Sequence, residues 1–387
     1  MRINERIRHI TVNDHETEKF EGLWSLPFGV SYNSYLIVDE KIALVDTAGA
    51  EYADFFLDSI KEEIGDRTID YVIVNHMEPD HSALLSIIRE NYPDVTILCS
   101  AKAVGMIDGY HGITDGVRAV KDKESISLGN STLTFYMTPM VHWPETMMTY
   151  LAEEKTFFTG DAFGAFMAND ENNIDGFNRI ELEMSRYYAS IVGKYGTQVQ
   201  MALKKAAGLE INRICSTHGP IWEDEIYKTI SLYDSLSKYE PIKKGVCLVY
   251  GSMYGNTEKA ALDLASELDK LGVEYQLHNL SKEDASFAYR DAFRYSHIVT
   301  GAPTYNNDIY PPVYNFLYGL GARLLKNRKF FAFGSYTWAG ASVKLMNAMA
   351  EKCGWELIAE GKSFNQGWTK EKCDLSEIAQ AIATDCK

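Results

Sequence analysis

Apolar runs of two different rhythms divide the chain. In the first stretch, short apolar runs bounded by polar or turn residues predict strands at 35–39, 42–46, 71–75, 95–99, 133–137 and 148–151. Helical spacing follows some of them, notably at 51–63 and 82–90. Strands and helices mixed in this way predict helices layered around sheets. A helical stretch at 231–240 is stopped by Pro241, which cannot continue it. From 245 onward the rhythm becomes regular. Strands at 245–251, 275–280, 297–301, 330–334 and 356–360 alternate with helical segments such as 257–271, 342–352 and 375–384. Such alternation predicts a doubly wound parallel sheet. The division expected is therefore one domain over 1–243 and a second over 244–387.

Composition sharpens this picture. At 387 residues the chain exceeds one ordinary core, and 46% hydrophobic with 24% charged residues is a globular balance. A net charge of -16 argues against non-specific nucleic-acid binding. Charges recur through the first twenty residues, so no apolar signal core is visible. No apolar run approaches the roughly 20 residues that span a bilayer. None of the six cysteines forms a C-x-x-C pair. Reduced thiols in a cytoplasmic protein are expected, with no sulfur-ligated metal.

The densest chemistry lies in His76-Met77-Glu78-Pro79-Asp80-His81, immediately after a predicted strand. Loops at the carboxyl ends of strands are where α/β folds place ligands. Three further candidates stand in the same setting: His142 in Val-His-Trp-Pro, Asp161 in Gly-Asp-Ala-Phe-Gly and His218 in Thr-His-Gly-Pro. Four imidazoles and three carboxylates make a nitrogen and oxygen shell that suits iron, manganese or zinc. Seven ligands suit two cations, with a carboxylate able to bridge them. A lone His or Asp at a strand end is more often structural. Gathering so many buried charges without a cation is costly, and this favours the metal reading. His9, His15, His111, His278 and His297 are expected to be structural or at the surface.

A second constellation opens the regular half. The strand ending at Gly251 runs into Ser252-Met253-Tyr254-Gly255-Asn256-Thr257 and then a helix. Backbone N–H groups of such a loop, with the helix N-terminus behind them, wrap a phosphate. The loop contains no Lys and does not match a triphosphate loop. Two more loops leave later strands: Pro303-Thr304-Tyr305-Asn306-Asn307 and Ser335-Tyr336-Thr337-Trp338-Ala339-Gly340. Their aromatic residues suit a flat ring, although aromatic residues in one such loop alone would read as packing.

The order H-x-E-x-D-H, H-W-P, G-D-A-F-G and T-H-G resembles the β-lactamase-like domain of flavodiiron proteins, and the later loops resemble those of flavodoxins, which bind FMN. Glu78 stands where the related zinc hydrolases carry a second His. The resemblance covers nearly the whole chain. It implies an α/β fold: an N-terminal β-lactamase-like αββα sandwich and a C-terminal flavodoxin-like doubly wound parallel sheet. It implies FMN and two non-haem irons. His76, Glu78 and His142 would hold one iron, Asp80, His81 and His218 the other, and Asp161 would bridge them.

The activity implied is reduction of dioxygen to water and/or nitric oxide to nitrous oxide. Electrons would pass from an external donor, such as rubredoxin or a reductase, through FMN to the irons. The resemblance also implies a head-to-tail homodimer or a dimer of dimers. Of the pair Tyr187 and Tyr188, Tyr188 is the one expected at the substrate pocket. Pro27 stands near where many relatives have a His. One alternative is a zinc-dependent β-lactamase-like hydrolase fused to a flavodoxin-like domain; another is an electron carrier with a structural metal.

Overall fold

The computed structural model describes residues 2–170 and 176–387. These form two compact units: Met1–Tyr188 with Thr197–Asp234, and Ala189–Gly196 with Ser235–Lys387.

The first unit holds two main sheets. One has the order Ile7–Asp14, Val30–Val38, Ile42–Val45, Tyr71–Val74, Thr96–Cys99, Val117–Ala119. The other has the order Arg213–Ser216, Thr156–Gly160, Met147–Leu151, Thr132–Met137, Ser125–Ser127. Side chains alternate across a strand, so successive residues serve different cores. Tyr35, Ile37, Val45 and Ile73 face Phe135, Leu151 and Phe158 between the sheets. Leu36, Leu44 and Val72 face outward, onto Phe56 and Ile60 of the helix Ala53–Ile64 and Ile88 of the helix Leu85–Asn91. Burial on both faces explains why these strands read as continuous apolar runs. Each such side chain contributes about 1.5–3 kcal/mol relative to exposure.

The second unit is a parallel sheet in the order Tyr275–Asn279, Lys243–Tyr250, Tyr295–Tyr305, Lys329–Tyr336, Glu356–Leu357. The strand order reverses direction beside Lys243–Tyr250, and ligands bind at such a switch point. Val246, Leu248 and Tyr250 pack on Leu264 and Leu268 of the helix Asn256–Leu271 and on Ile378 and Ile382 of the helix Ser376–Cys386.

The fifth strand departs from the predicted 356–360. It is split into Glu356–Leu357 and Lys362–Asn365, both paired with Lys329–Tyr336. Gly361 lies at the break with φ 93°, where a Cβ would stand 2.7 Å from the Ala332 carbonyl oxygen. Among the described residues, no helix is long and apolar enough to cross a membrane.

Candidate metal centre and flavin cradle

Four strands deliver the metal candidates from their carboxyl ends. Tyr71–Val74 leads to His76, Thr132–Met137 to His142, Thr156–Gly160 to Asp161 and Arg213–Ser216 to His218. The structure gathers all seven predicted residues into two adjoining groups: His76, Glu78, His142 and Asp161, and Asp80, His81 and His218. In the first, His76 Nε2 lies 3.2 Å from His142 Nε2 and 3.2 Å from Glu78 Oε2. His142 Nε2 is 2.8 Å from Asp161 Oδ2. In the second, Asp80 Oδ2 is 3.4 Å from both His81 Nε2 and His218 Nε2. Atoms each roughly 2.1 Å from one cation lie about 3 Å apart, so both groups have the spacing of a ligand set.

Asp161 joins the groups. Its Oδ2 faces His142, and its Oδ1 lies 3.0 Å from His81 Nε2 and 3.8 Å from His218 Nε2. Thr217 donates its hydroxyl to the same Oδ1 at 2.6 Å. The site is buried: His76, His81, His142, Asp161 and His218 are all enclosed.

Charge balance shows what the cluster requires. Burial opposes a charged ring at His76, yet Asp161, Glu145 and Glu78 outweigh it and carry the imidazole up to about 10. His142 rises to about 10 against burial, through Asp161 and Glu78, and His81 to about 9, through Asp80 and Asp161. Burial pushes the Asp161 carboxyl up, but His81, His76 and His142 hold it well below the usual carboxylate range. The cluster thus demands positive charge, which metal ions supply while displacing protons. His218 Nε2 and Asp80 Oδ1 are buried with no hydrogen-bond partner among the described residues. A cation between them would satisfy both, so these residues fit a pair of metal ions. The other five histidines lie outside both groups.

Around this centre the structure adds residues that the motifs did not single out. Glu145 accepts from His76 Nδ1 at 2.8 Å, and the Ser31 carbonyl takes His218 Nδ1 at 2.9 Å. Phe20 and Tyr32 set their rings 5.0 and 5.5 Å from that of His218. Glu145 and Thr217 stood in view, as the fourth residue of His-Trp-Pro-Glu and the first of Thr-His-Gly. Phe20 carried no signal, because it arrives on a two-stranded ribbon, Lys19–Phe20 with Trp24–Ser25, remote in sequence.

The two tyrosines part company in the structure. Consecutive helical residues point about 100° apart, and it is Tyr187 whose ring lies 5.5 Å from that of His218. Its hydroxyl has no hydrogen-bond partner among the described residues. Tyr188 packs against Tyr233 instead, ring centres 4.9 Å apart. Pro27 is exposed.

In the second unit the three predicted loops line one cavity of about 530 Å³. Fifteen of its lining residues were predicted, from Ser252, Met253, Tyr254, Asn256 and Thr257, through Pro303 to Asn307, to Ser335 through Ala339. Gly255 and Gly340 do not line it, while Gln366 and Gly367 do, brought in by the Lys362–Asn365 strand. Gly255 instead turns the chain into the helix Asn256–Leu271 with φ 84°. Ser252 Oγ accepts from the Gly255 N–H at 3.0 Å and shapes that turn. The lining contains hydroxyl, amide and aromatic groups but no Lys or Arg. That donor set fits a flavin mononucleotide whose phosphate rests on neutral N–H and O–H donors. Trp338 and Tyr254 are 91% and 89% exposed, and stand ready to cover a flat ring at the rim.

Comparison with known proteins finds a family model for each part of the chain. Residues 30–219 match the family described as ODP family beta lactamase, and residues 248–381 match flavodoxin. The chain is 31% identical to the anaerobic nitric oxide reductase flavorubredoxin of Vibrio vulnificus, over 98% of this chain and 79% of that one. Rubredoxin oxygen:oxidoreductase from Desulfovibrio gigas superposes with a TM-score of 0.93 at 30% identity, over 100% of this chain and 98% of that one. The flavodiiron protein of Giardia intestinalis gives 0.92 at 28% identity, over 99% and 95%. The chain therefore belongs to the flavodiiron protein family, and its cofactors are FMN and a di-iron site.

Proposed function

We propose that this protein is an oxidoreductase that reduces dioxygen to water and/or nitric oxide to nitrous oxide, using electrons that an external donor delivers through FMN to the irons. The observation that carries this reading is Asp161, whose two oxygens face two different histidine groups. On this reading His76, Glu78 and His142 hold one iron, Asp80, His81 and His218 the other, and Asp161 spans both. When bound, FMN supplies the electrons and the ferrous irons supply the binding site for the gas.

The chain's own residues do the rest. Carboxylates keep the donor set anionic, in keeping with iron. Phe20, Tyr32 and Tyr187 wall His218 with aromatic rings and keep water from that side. Tyr187 takes the pocket role expected of Tyr188, because it is its ring that stands 5.5 Å from that of His218. The domains remain assigned to 1–243 and 244–387. A head-to-tail homodimer, or a dimer of such dimers, would set the FMN of one copy beside the irons of the other. The donor is a separate rubredoxin or reductase, as the name of the Desulfovibrio gigas relative suggests, and the protein works in the cytoplasm.

Electron counting under dioxygen tests the reading. Four electrons consumed per dioxygen, with no hydrogen peroxide, is the expected result. Two electrons and stoichiometric peroxide under dioxygen, with no nitrous oxide formed from nitric oxide, would mean that flavin alone reacts, and would reject it.

A further inference from the structure

Glu145 lies three residues beyond His142, and none of the predicted roles used it. It is 2% exposed. Its Oε1 receives His76 Nδ1 at 2.8 Å and the Met77 N–H at 3.0 Å. Its Oε2 has no hydrogen-bond partner among the described residues. No Lys or Arg forms an ion pair with it there; its salt-bridge partner is His76. A buried carboxylate with so little compensation is costly to keep. Its position therefore points to a task.

That task follows from which atoms can donate. An ionised carboxylate only accepts. With a cation on Nε2, the proton that His76 keeps therefore sits on Nδ1, which also lies 3.0 Å from the Met77 N–H, and Nε2 faces Glu78 Oε2 and His142 Nε2, each 3.2 Å away. By holding the Met77 N–H as well, Glu145 fixes the ring and the backbone of the loop that carries Glu78, Asp80 and His81. The second group has no such support. His218 Nδ1 is held by a neutral carbonyl, that of Ser31. His81 Nδ1 has no partner among the described residues. Carboxylates behind ligating histidines raise ligand basicity and lock the tautomer.

We infer that Glu145 is a positioning residue for His76, and that it makes the His76, Glu78 and His142 group the tighter of the two metal sites. The inference rests on the di-iron reading above, and it predicts an asymmetry that general damage to the fold would not produce.

The test measures metal content and chelator-driven iron release in the full-length protein, for wild type, Glu145→Gln and Glu145→Leu. Wild type should release its two irons in distinct phases. Glu145→Leu should accelerate the slow phase by roughly 10–100-fold and fall from two irons per chain towards one, with FMN content unchanged. Glu145→Gln restores an acceptor for Nδ1 without the charge, and should retain two irons with an intermediate release rate. Two irons leaving at the wild-type rates from both variants would overturn the inference. So would both irons leaving together from a folded Glu145→Leu protein. If Glu145→Leu fails to fold, Glu145→Gln decides: wild-type release from it overturns the inference. Wild type that takes up zinc and no iron would sink the di-iron reading instead, while the effect of Glu145 on release would still be read with zinc.

Discussion

Oδ1 of Asp161 stands 3.0 Å from Nε2 of His81, while the other oxygen of the same carboxylate faces His142 across the centre. One side chain thus faces both histidine groups, and its burial leaves no solvent to replace either contact. Asp161→Asn keeps the shape but loses the charge and one acceptor. It should lower metal affinity by roughly 10–100-fold and iron content below two per chain, with FMN content unaltered. Metal analysis of the purified variant checks this, and full iron loading would contradict it.

Tyr187 and Tyr188 form an internal control. Tyr187→Phe removes a hydroxyl with no partner among the described residues beside His218. It should slow gas turnover by roughly 10-fold, as expected for a lost transition-state hydrogen bond of about 1–3 kcal/mol, while both irons remain. Tyr188 lies against Tyr233, and Tyr188→Phe should leave turnover unchanged. Equal turnover in both variants, or the reverse order, would remove Tyr187 from the site.

In the flavin unit, Trp338 is 91% exposed. Trp338→Ala should therefore change folding stability by no more than about 0.5 kcal/mol, yet weaken FMN, because the indole lies at the rim of the cavity. Base–aromatic stacking elsewhere suggests about 1–3 kcal/mol, or roughly 5- to 150-fold in affinity. Fluorescence titration of the FMN-free protein reads it directly. Unchanged affinity would place the ring elsewhere.

His278 gives the flavin unit a pH dependence. It is buried, with Nε2 2.9 Å from Asp291 Oδ2 and Nδ1 3.2 Å from Glu283 Oε1. Burial opposes its charge, but the two carboxylates outweigh burial and raise its pKa. A raised folded value means that the protonated ring stabilises the fold fully below the unfolded value of about 6.5, and that this is lost as pH climbs through the folded value. Denaturant midpoints should therefore fall as pH rises from about 6.5 through the folded value in wild type, and fall less in His278→Gln. Parallel slopes in the two proteins would contradict this.

The sequence made the candidate ligands legible because each follows a largely buried strand. Tyr71–Val74 and Thr156–Gly160 are buried nearly throughout, so a polar residue just beyond them stands out. The strand Ile7–Asp14 escaped the same reasoning. Its Arg8 and His9 are buried, compensated by Glu63 at 2.8 Å and Asn33 at 2.9 Å. Partners that far along the chain cannot be seen from local hydrophobicity, so the segment reads as a charged surface. Glu145 and Phe20 escaped for a related reason: their roles arise from tertiary contacts with His76 and His218. The choice between Tyr187 and Tyr188 depended on helix phase, which neighbouring identical residues leave undetermined.

The most direct test combines metal content with turnover on one sample. Iron, zinc and FMN are quantified per chain, and the anaerobically reduced protein is then given dioxygen and nitric oxide separately. The account predicts two irons and one FMN per chain, with reduction of dioxygen to water or of nitric oxide to nitrous oxide that is lost when iron is removed and FMN retained. Zinc in place of iron, with neither water from dioxygen nor nitrous oxide from nitric oxide formed, would contradict it.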